Sequence, residues 1–150
     1  MKKLTFTLLF LLGAIGTLSA QSTVKSDIFA FLGVEGYVPS YDQDGDISVK
    51  IQGISYYVIV QDLSSENSSY VEMKASFSTD TPLAKLLAIS NDFNRNKYLC
   101  KCSAYSDDEQ NIFTVSMEFI SDNSANTLFQ MRHALRLLPG WIDEFTARLD

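Results

Sequence analysis

The segment Tyr41–Ile51, YDQDGDISVKI, carries aspartates at alternate positions, Asp42, Asp44 and Asp46. That is the oxygen-ligand spacing with which an EF-hand calcium loop begins. Such a loop also needs a glycine at its sixth position and a bidentate glutamate at its twelfth. Counted from Asp42, those positions hold Ile47 and Gly53, so the segment is not an EF-hand. Asp44-Gly45 is a preferred pair for a two-residue hairpin turn with positive φ angles, and the spacing predicts that turn. A weak, water-rich calcium site at the turn is the alternative, which calorimetry with calcium would remove.

Two further matches suggest chemistry. STVK at Ser22–Lys25 has the Ser-x-x-Lys spacing of penicillin-binding enzymes, and SDN at Ser121–Asn123 matches their second element. The third element, Lys-Thr-Gly, is absent, and Ser22 lies one residue past the cleavage site expected for an export leader, where a frayed new terminus does not pre-organise a nucleophile. Cys100 and Cys102 stand two apart on the same face of a predicted strand. A bridge between them would strain the strand, so the geometry favours two buried thiols packing as small apolar residues, with a strained or intermolecular disulfide as the alternative. With His133 the only histidine, zinc would lack two of its usual four ligands unless acids filled in. His133 itself reads as a surface or boundary residue of the last helix. General acid–base work needs ionisable groups held in a pocket with separated pKa values, and the acids here cluster at turns, around Asp44 and Asp108. No catalytic, cofactor-binding or metal site is assigned, and the chain is expected not to be an enzyme.

The elements that position these residues begin after a leader. MKKLTFTLLFLLGAIGTLSA has a basic start at Lys2 and Lys3, an apolar run and small residues at Ser19 and Ala20, the features of a cleaved export signal. The run is broken by Gly13 and Gly16 and is shorter than a membrane span, and no cysteine follows it to carry a lipid anchor. The expectation is therefore a signal peptide over 1–20 and a single domain over 21–150, periplasmic or secreted, with no stable membrane insertion after cleavage. Removing Lys2 and Lys3 from the 12 basic side chains leaves 10 against 18 acids, a net charge of −8 in place of −6. A domain so acidic, with its Lys and Arg scattered, repels phosphate backbones, and nucleic acid is excluded as a partner.

Within the domain, Val24, Ile28, Phe31 and Leu32 recur at helical spacing, with Gly33 or Gly36 as a stop. The period then changes to two in YVPSYD, ISVKI, ISYYVIV and YVEMKASF, with Asp44-Gly45 and Gln52-Gly53 at tight connections. TPLAKLLAISNDFNRN reads as a helix with Thr81 as N-cap, Pro82 at its first position and Leu83, Leu86, Leu87 and Phe93 inward. KYLCKCSAY and NIFTVSMEFI follow as strands joined by the acidic turn 107–110. The last helix carries Leu128, Met131, Leu135 and Leu138, is broken at Pro139-Gly140, and resumes through Trp141, Ile142, Phe145 and Leu149. The fold class is α+β: a mainly antiparallel sheet in the order α-β(3–4)-α-β(2)-α, with the helices packed on one face.

That order, with Gly36-Tyr37, the turn Asp42–Asp46, the segment NDFNRNKY at Asn91–Tyr98 and the long closing helix, resembles the YbjN-type domain family. The resemblance spans roughly Ser26 to Leu149. It implies a type III secretion chaperone-like fold, a non-enzymatic regulatory role, and kinship in fold with dimeric chaperones that hold extended polypeptide. An export signal is not part of that family's usual cytoplasmic setting.

Seven tyrosines remain to be explained. Tyr56 and Tyr57 are adjacent, so one of them leaves the core face, and exposed aromatic residues on a sheet make binding anchors. Tyr56, Tyr57, Tyr98 and Trp141 are the candidate partner-binding residues. The sequence is read as an interaction module for a protein or peptide, with a homodimer as one arrangement. The alternative is a small-ligand or ion-sensing domain with a pocket between helices and sheet.

Overall fold

The computed structural model describes residues 23–63, 66–107 and 110–149. The expected signal peptide, Ser22 of the Ser-x-x-Lys match, and Asp108 and Glu109 of the acidic turn lie outside the described residues. Helix α1 (Thr23–Val34) buries Val24, Ile28, Phe31 and Leu32, the stripe their spacing predicts. It ends at Gly36, whose φ of +90° is left-handed. There the Tyr37 N–H reaches the Leu32 carbonyl at 3.0 Å and the Gly36 N–H that of Gly33 at 3.1 Å, the paired bonds of a Schellman close.

Strand β1 (Ser40–Tyr41) has two residues, fewer than YVPSYD suggests, because Pro39 has no N–H for a ladder. The loop from β1 to β2 (Ile47–Ile51) corrects the expected two-residue turn. Gly45 is left-handed at φ +80° but Asp44 is not. The Gly45 N–H bonds the Asp42 carbonyl at 3.2 Å, and the Asp42 N–H bonds that of Asp46 at 2.9 Å. This is a three-residue hairpin loop, a type I turn closed by a left-handed glycine. The Asp42 carboxylate selects it by accepting the N–H groups of Asp44 at 3.0 Å and Asp46 at 2.8 Å. Gln52-Gly53, with φ of 52° and 86°, makes the expected primed turn into β3 (Ile54–Leu63).

Strands β4 (Ser68–Thr79), β5 (Cys100–Asp107) and β6 (Gln110–Ser121) complete a sheet ordered β1-β2-β3-β4-β6-β5, antiparallel at every pairing. Helix α2 (Leu83–Asn96) links β4 to the far edge strand. Its N-cap is Pro82, with no side-chain bond. Thr81, expected there, is instead tied into a turn with Thr79, whose hydroxyl accepts the Thr81 N–H at 3.1 Å. Leu86, Ile89, Ser90 and Phe93 face inward, whereas Leu87, expected in that stripe, is exposed.

Helix α3 (Ser124–Thr146) runs unbroken through Pro139, a correction to the expected break. Its buried positions, Thr127, Met131, Ala134, Leu138, Trp141, Ile142 and Phe145, keep helical spacing on both sides of the proline. Burying Leu138, Trp141 and Ile142, at about 1.5–3 kcal/mol for each large apolar side chain, outweighs the roughly 3 kcal/mol that an interior proline costs. The three helices lie on one face of the sheet. Between the layers Phe77, Phe113, Phe145 and Phe93 follow in succession, the first two pairs stacked and the last tilted, with centroids 5.0, 4.4 and 5.3 Å apart, joining β4, β6, α3 and α2.

Candidate functional site

In a strand successive side chains point to opposite faces. The inward set, including Val49, Val58, Met73, Val115 and Met117, is buried under the helices. The outward set points to the opposite face, where Tyr57, Tyr105 and Ile120 are exposed and Ser116 is buried. One row crosses the whole sheet: Ser40, Ser48, Tyr57, Lys74, Ser116 and Lys101 are successive cross-strand partners. Beside it run Ile59, Glu72 and Glu118, and then Gln61, Tyr70 and Ile120.

Glu72 and Glu118 sit directly opposite one another, a pairing that repels unless it is compensated. Lys74 Nζ lies 3.5 Å from Glu72 and Lys101 Nζ 2.7 Å from Glu118. The Tyr70 hydroxyl lies in hydrogen-bonding position toward Glu118. Burial, the two carboxylates and that bond push the Tyr70 phenol above its usual value, while the bond to Glu118 raises Lys101. The centre of the open face is thus a closed charge network with apolar side chains around it. Tyr57, Tyr105 and Ile120 are exposed there at 39, 49 and 57%.

The four candidate residues do not converge. Tyr57 stands on the open face, but its neighbour Tyr56 is fully buried against the helices, and Trp141 is 8% exposed on the inner side of α3. Both belong to the core. Tyr98 is 92% exposed, in the turn between α2 and β5. Three strand spacings, about 14 Å, separate β3 from β5. Tyr57 and Tyr98 therefore serve different surfaces. The outward apolar residues Ile59 and Ile120 were missed, although they were legible as the off-core positions of strands whose core phase was already assigned.

The motifs considered first have structural roles. Lys25 donates from Nζ to the Gly45 carbonyl at 2.9 Å and lies 3.7 Å from Asp46, so an ammonium group occupies the loop where calcium would have been held. Asn123 caps α3, its Oδ1 accepting the Asn126 N–H at 2.9 Å. Ser121 donates to the Asn123 carbonyl at 2.9 Å and accepts from Thr127 at 2.9 Å. The Ser-Asp-Asn match is thus a helix start. His133 packs edge-on to Phe129 and lies 3.1 Å from Arg136, half-buried on α3 as expected. The outer edge of β5 is held by Asn94, which accepts the Cys102 N–H at 2.7 Å and donates to the Cys102 carbonyl at 3.0 Å. Among the described residues no cluster of three or more His, Cys, Asp or Glu side chains could hold a metal ion, and no helix is long and apolar enough to cross a membrane.

Comparison with known proteins adds three findings. No curated protein matches the chain. Among solved structures, the crystal structure of YbjN, "a putative transcription regulator from E. coli", is 11% identical with a TM-score of 0.55, over 73% of this chain and 81% of that one; at this identity the likeness concerns the fold. The Yersinia pestis type III secretion chaperone SycH, solved in complex with a stable fragment of YscM2, is 16% identical with a TM-score of 0.48, over 83% and 98%. The model of the YbjN family, described as "Putative bacterial sensory transduction regulator", matches residues 26–148. With that match spanning α1 to the end of α3, the chain belongs to the YbjN family.

Proposed function

We propose that the chain is an exported, non-catalytic interaction module, regulatory or chaperone-like, that holds a polypeptide against the open face of its sheet. The observation that carries this reading is the one-sided cover of the sheet. All three helices lie on the inner face, and the outer face presents Tyr57, Ile59, Tyr105 and Ile120 around a neutralised charge network. Aromatic and aliphatic side chains on a rigid sheet offer contact area with little entropy to lose. The paired Glu72–Lys74 and Lys101–Glu118 contacts supply polar partners that fix register. A regulator is the kind of protein the family description names. Export is supported by Lys2, Lys3, the apolar run and the small residues before Gln21. The site includes Tyr57 of the four tyrosine and tryptophan candidates; Tyr98 belongs to a separate surface.

The test places a photo-crosslinking residue at Tyr57, and in a control at Arg136 on the helical side, and challenges an envelope extract. Saturable capture of one polypeptide from Tyr57 and not from Arg136 is expected. Capture of the chain's own second copy would make the face a dimer interface. Equal labelling from both positions, or none, would overturn the reading in favour of a ligand-sensing domain.

A further inference from the structure

Cys100 and Cys102 are free, and their sulfurs lie 3.7 Å apart at the start of the edge strand β5. The two thiols are not equivalent. Cys102 is buried, 5% exposed, and its backbone is fixed by Asn94. Cys100 is only partly buried and follows a surface turn in which Tyr98 and Leu99 are exposed. Leu99 holds a φ of +61°, a left-handed conformation uncommon for a leucine, so the chain enters Cys100 through a strained residue.

We propose that Cys100 and Cys102 form a redox-active dithiol that exchanges with small disulfides, Cys100 as the attacking thiol and Cys102 as the resolving one. The Cys100 thiolate attacks one sulfur of a disulfide RS–SR, forming Cys100–S–S–R and releasing RS⁻. Cys102 loses its proton to the released thiolate or to solvent, attacks the Cys100 sulfur and expels the second RS⁻. Two protein thiols give up two electrons and two protons, and one disulfide becomes two RSH. Cys102 is buried and touches the sulfur of Cys100, the one other cysteine in the sequence, as a resolving thiol must.

The local electrostatics agree with these roles. The hydrogen bond from Cys102 holds the Cys100 thiol below the ordinary range against the effect of burial, helped by the Lys97 ammonium and opposed by Glu144. The same bond, burial and the charge on Cys100 push Cys102 up. A thiolate-favouring, partly exposed cysteine beside a buried one is the arrangement of exchange sites.

Closure is feasible but strained. Residues two apart in a strand have Cα atoms about 6.6 Å apart, near the upper end of the roughly 4.4–6.8 Å that disulfides span. Cys102 turns its N–H and carbonyl outward to Asn94. By ladder alternation Cys100 also turns outward, so drawing the two together leaves their pairing with β6 to Lys101. A strained bridge is the readily reduced kind. The pair is therefore a reversible site, independent of whatever the open sheet face binds.

The full chain is equilibrated in glutathione buffers of graded oxidised-to-reduced ratio, trapped with an alkylating agent and weighed intact. The expected product in oxidising buffer is a monomer lighter by two hydrogens that takes no alkyl group, and that regains both sites in reducing buffer. Cys102→Ala should accumulate one glutathione on Cys100. Cys100→Ala should stay unmodified. Two alkylated thiols in the most oxidising buffer, or a bridge between chains, overturns the proposal without recourse to any variant. So does glutathione on Cys100→Ala as readily as on Cys102→Ala.

Discussion

Tyr56 and Tyr57 show how much a single step along a strand decides. Adjacency required that one of them leave the core, and the sequence left open which; the phase of β3 settles it, with Tyr56 inward beside Val58 and Tyr57 outward. The signal was in the register, because Val49 on β2 faces the core and is paired with Tyr56. Burying Tyr56 has a cost. Its hydroxyl is buried without a hydrogen-bond partner among the described side chains, and burial, with the nearby Asp143 and Tyr37, raises its pKa to about 12. Tyr56→Phe removes that hydroxyl and keeps the ring, so it should raise stability by about 1 kcal/mol, read as a shift in the urea midpoint. The titration adds a second readout. A folded-state value of about 12 against 10 unfolded means that the contribution of Tyr56 is intact below the unfolded value and fades as pH climbs from there toward 12. The Phe variant should lack that share of the alkaline loss. A variant less stable than the parent at neutral pH would show that the hydroxyl is satisfied after all.

At the scale of elements, periodicity located α1, β2, β4 and β6 closely, because each has one buried face and a repeat that matches it. It failed where local chemistry competes with packing. The expected turn at Asp44-Gly45 ignored the Asp42 carboxylate, which draws two backbone N–H groups and selects a longer loop. The expected break at Pro139 gave the proline more weight than the stripe that resumes past it, and α3 runs through. That second miss makes a prediction. An alanine at 139 restores a helix donor and removes the ring clash, worth up to about 3 kcal/mol, less roughly 1 kcal/mol for the greater freedom of the unfolded chain. Pro139→Ala should therefore stabilise the protein by about 1–2 kcal/mol, with a matching rise in Tm. A loss of stability would mean that α3 needs the bend. The end of α3 carries another dependence. Arg148 contacts both Asp92 on α2, at 2.6 Å, and Glu144, at 3.0 Å, while Lys97 also pairs with Glu144. Arg148 holds the Asp92 carboxyl low, and Lys97, then Arg148, does the same for Glu144. Both contributions are present above the ordinary carboxylate range and vanish as pH falls through the lowered folded values. Arg148→Ala should flatten that acid-side decline in thermal-unfolding scans, by a small amount because the groups are exposed.

For the molecule as a whole, the consequence of an α+β fold with every helix on one side is a sheet with two unlike faces. The sequence showed the two periods and hence the layers, but not which outward residues would meet, since that depends on register across β3, β4 and β6. Ile120 and Ile59 lie about two hundred ångströms of extended chain apart in sequence, yet they occupy neighbouring rows once β4 pairs on both sides. The core face and the open face should answer substitution differently. Phe145→Ala empties a position packed between Phe113 and Phe93 and should cost about 3–5 kcal/mol. Tyr57→Thr and Ile120→Thr put a β-branched strand former at each exposed position, so together they should change stability by less than about 1 kcal/mol. If the open face holds a polypeptide, the double variant should nonetheless lose saturable capture by a crosslinker placed at the neighbouring position Ser48, which pairs with Tyr57. Measuring unfolding and capture on the same preparation separates the two roles. Undiminished capture by a stable double variant would show that these side chains merely finish the sheet, and would leave the face without a partner.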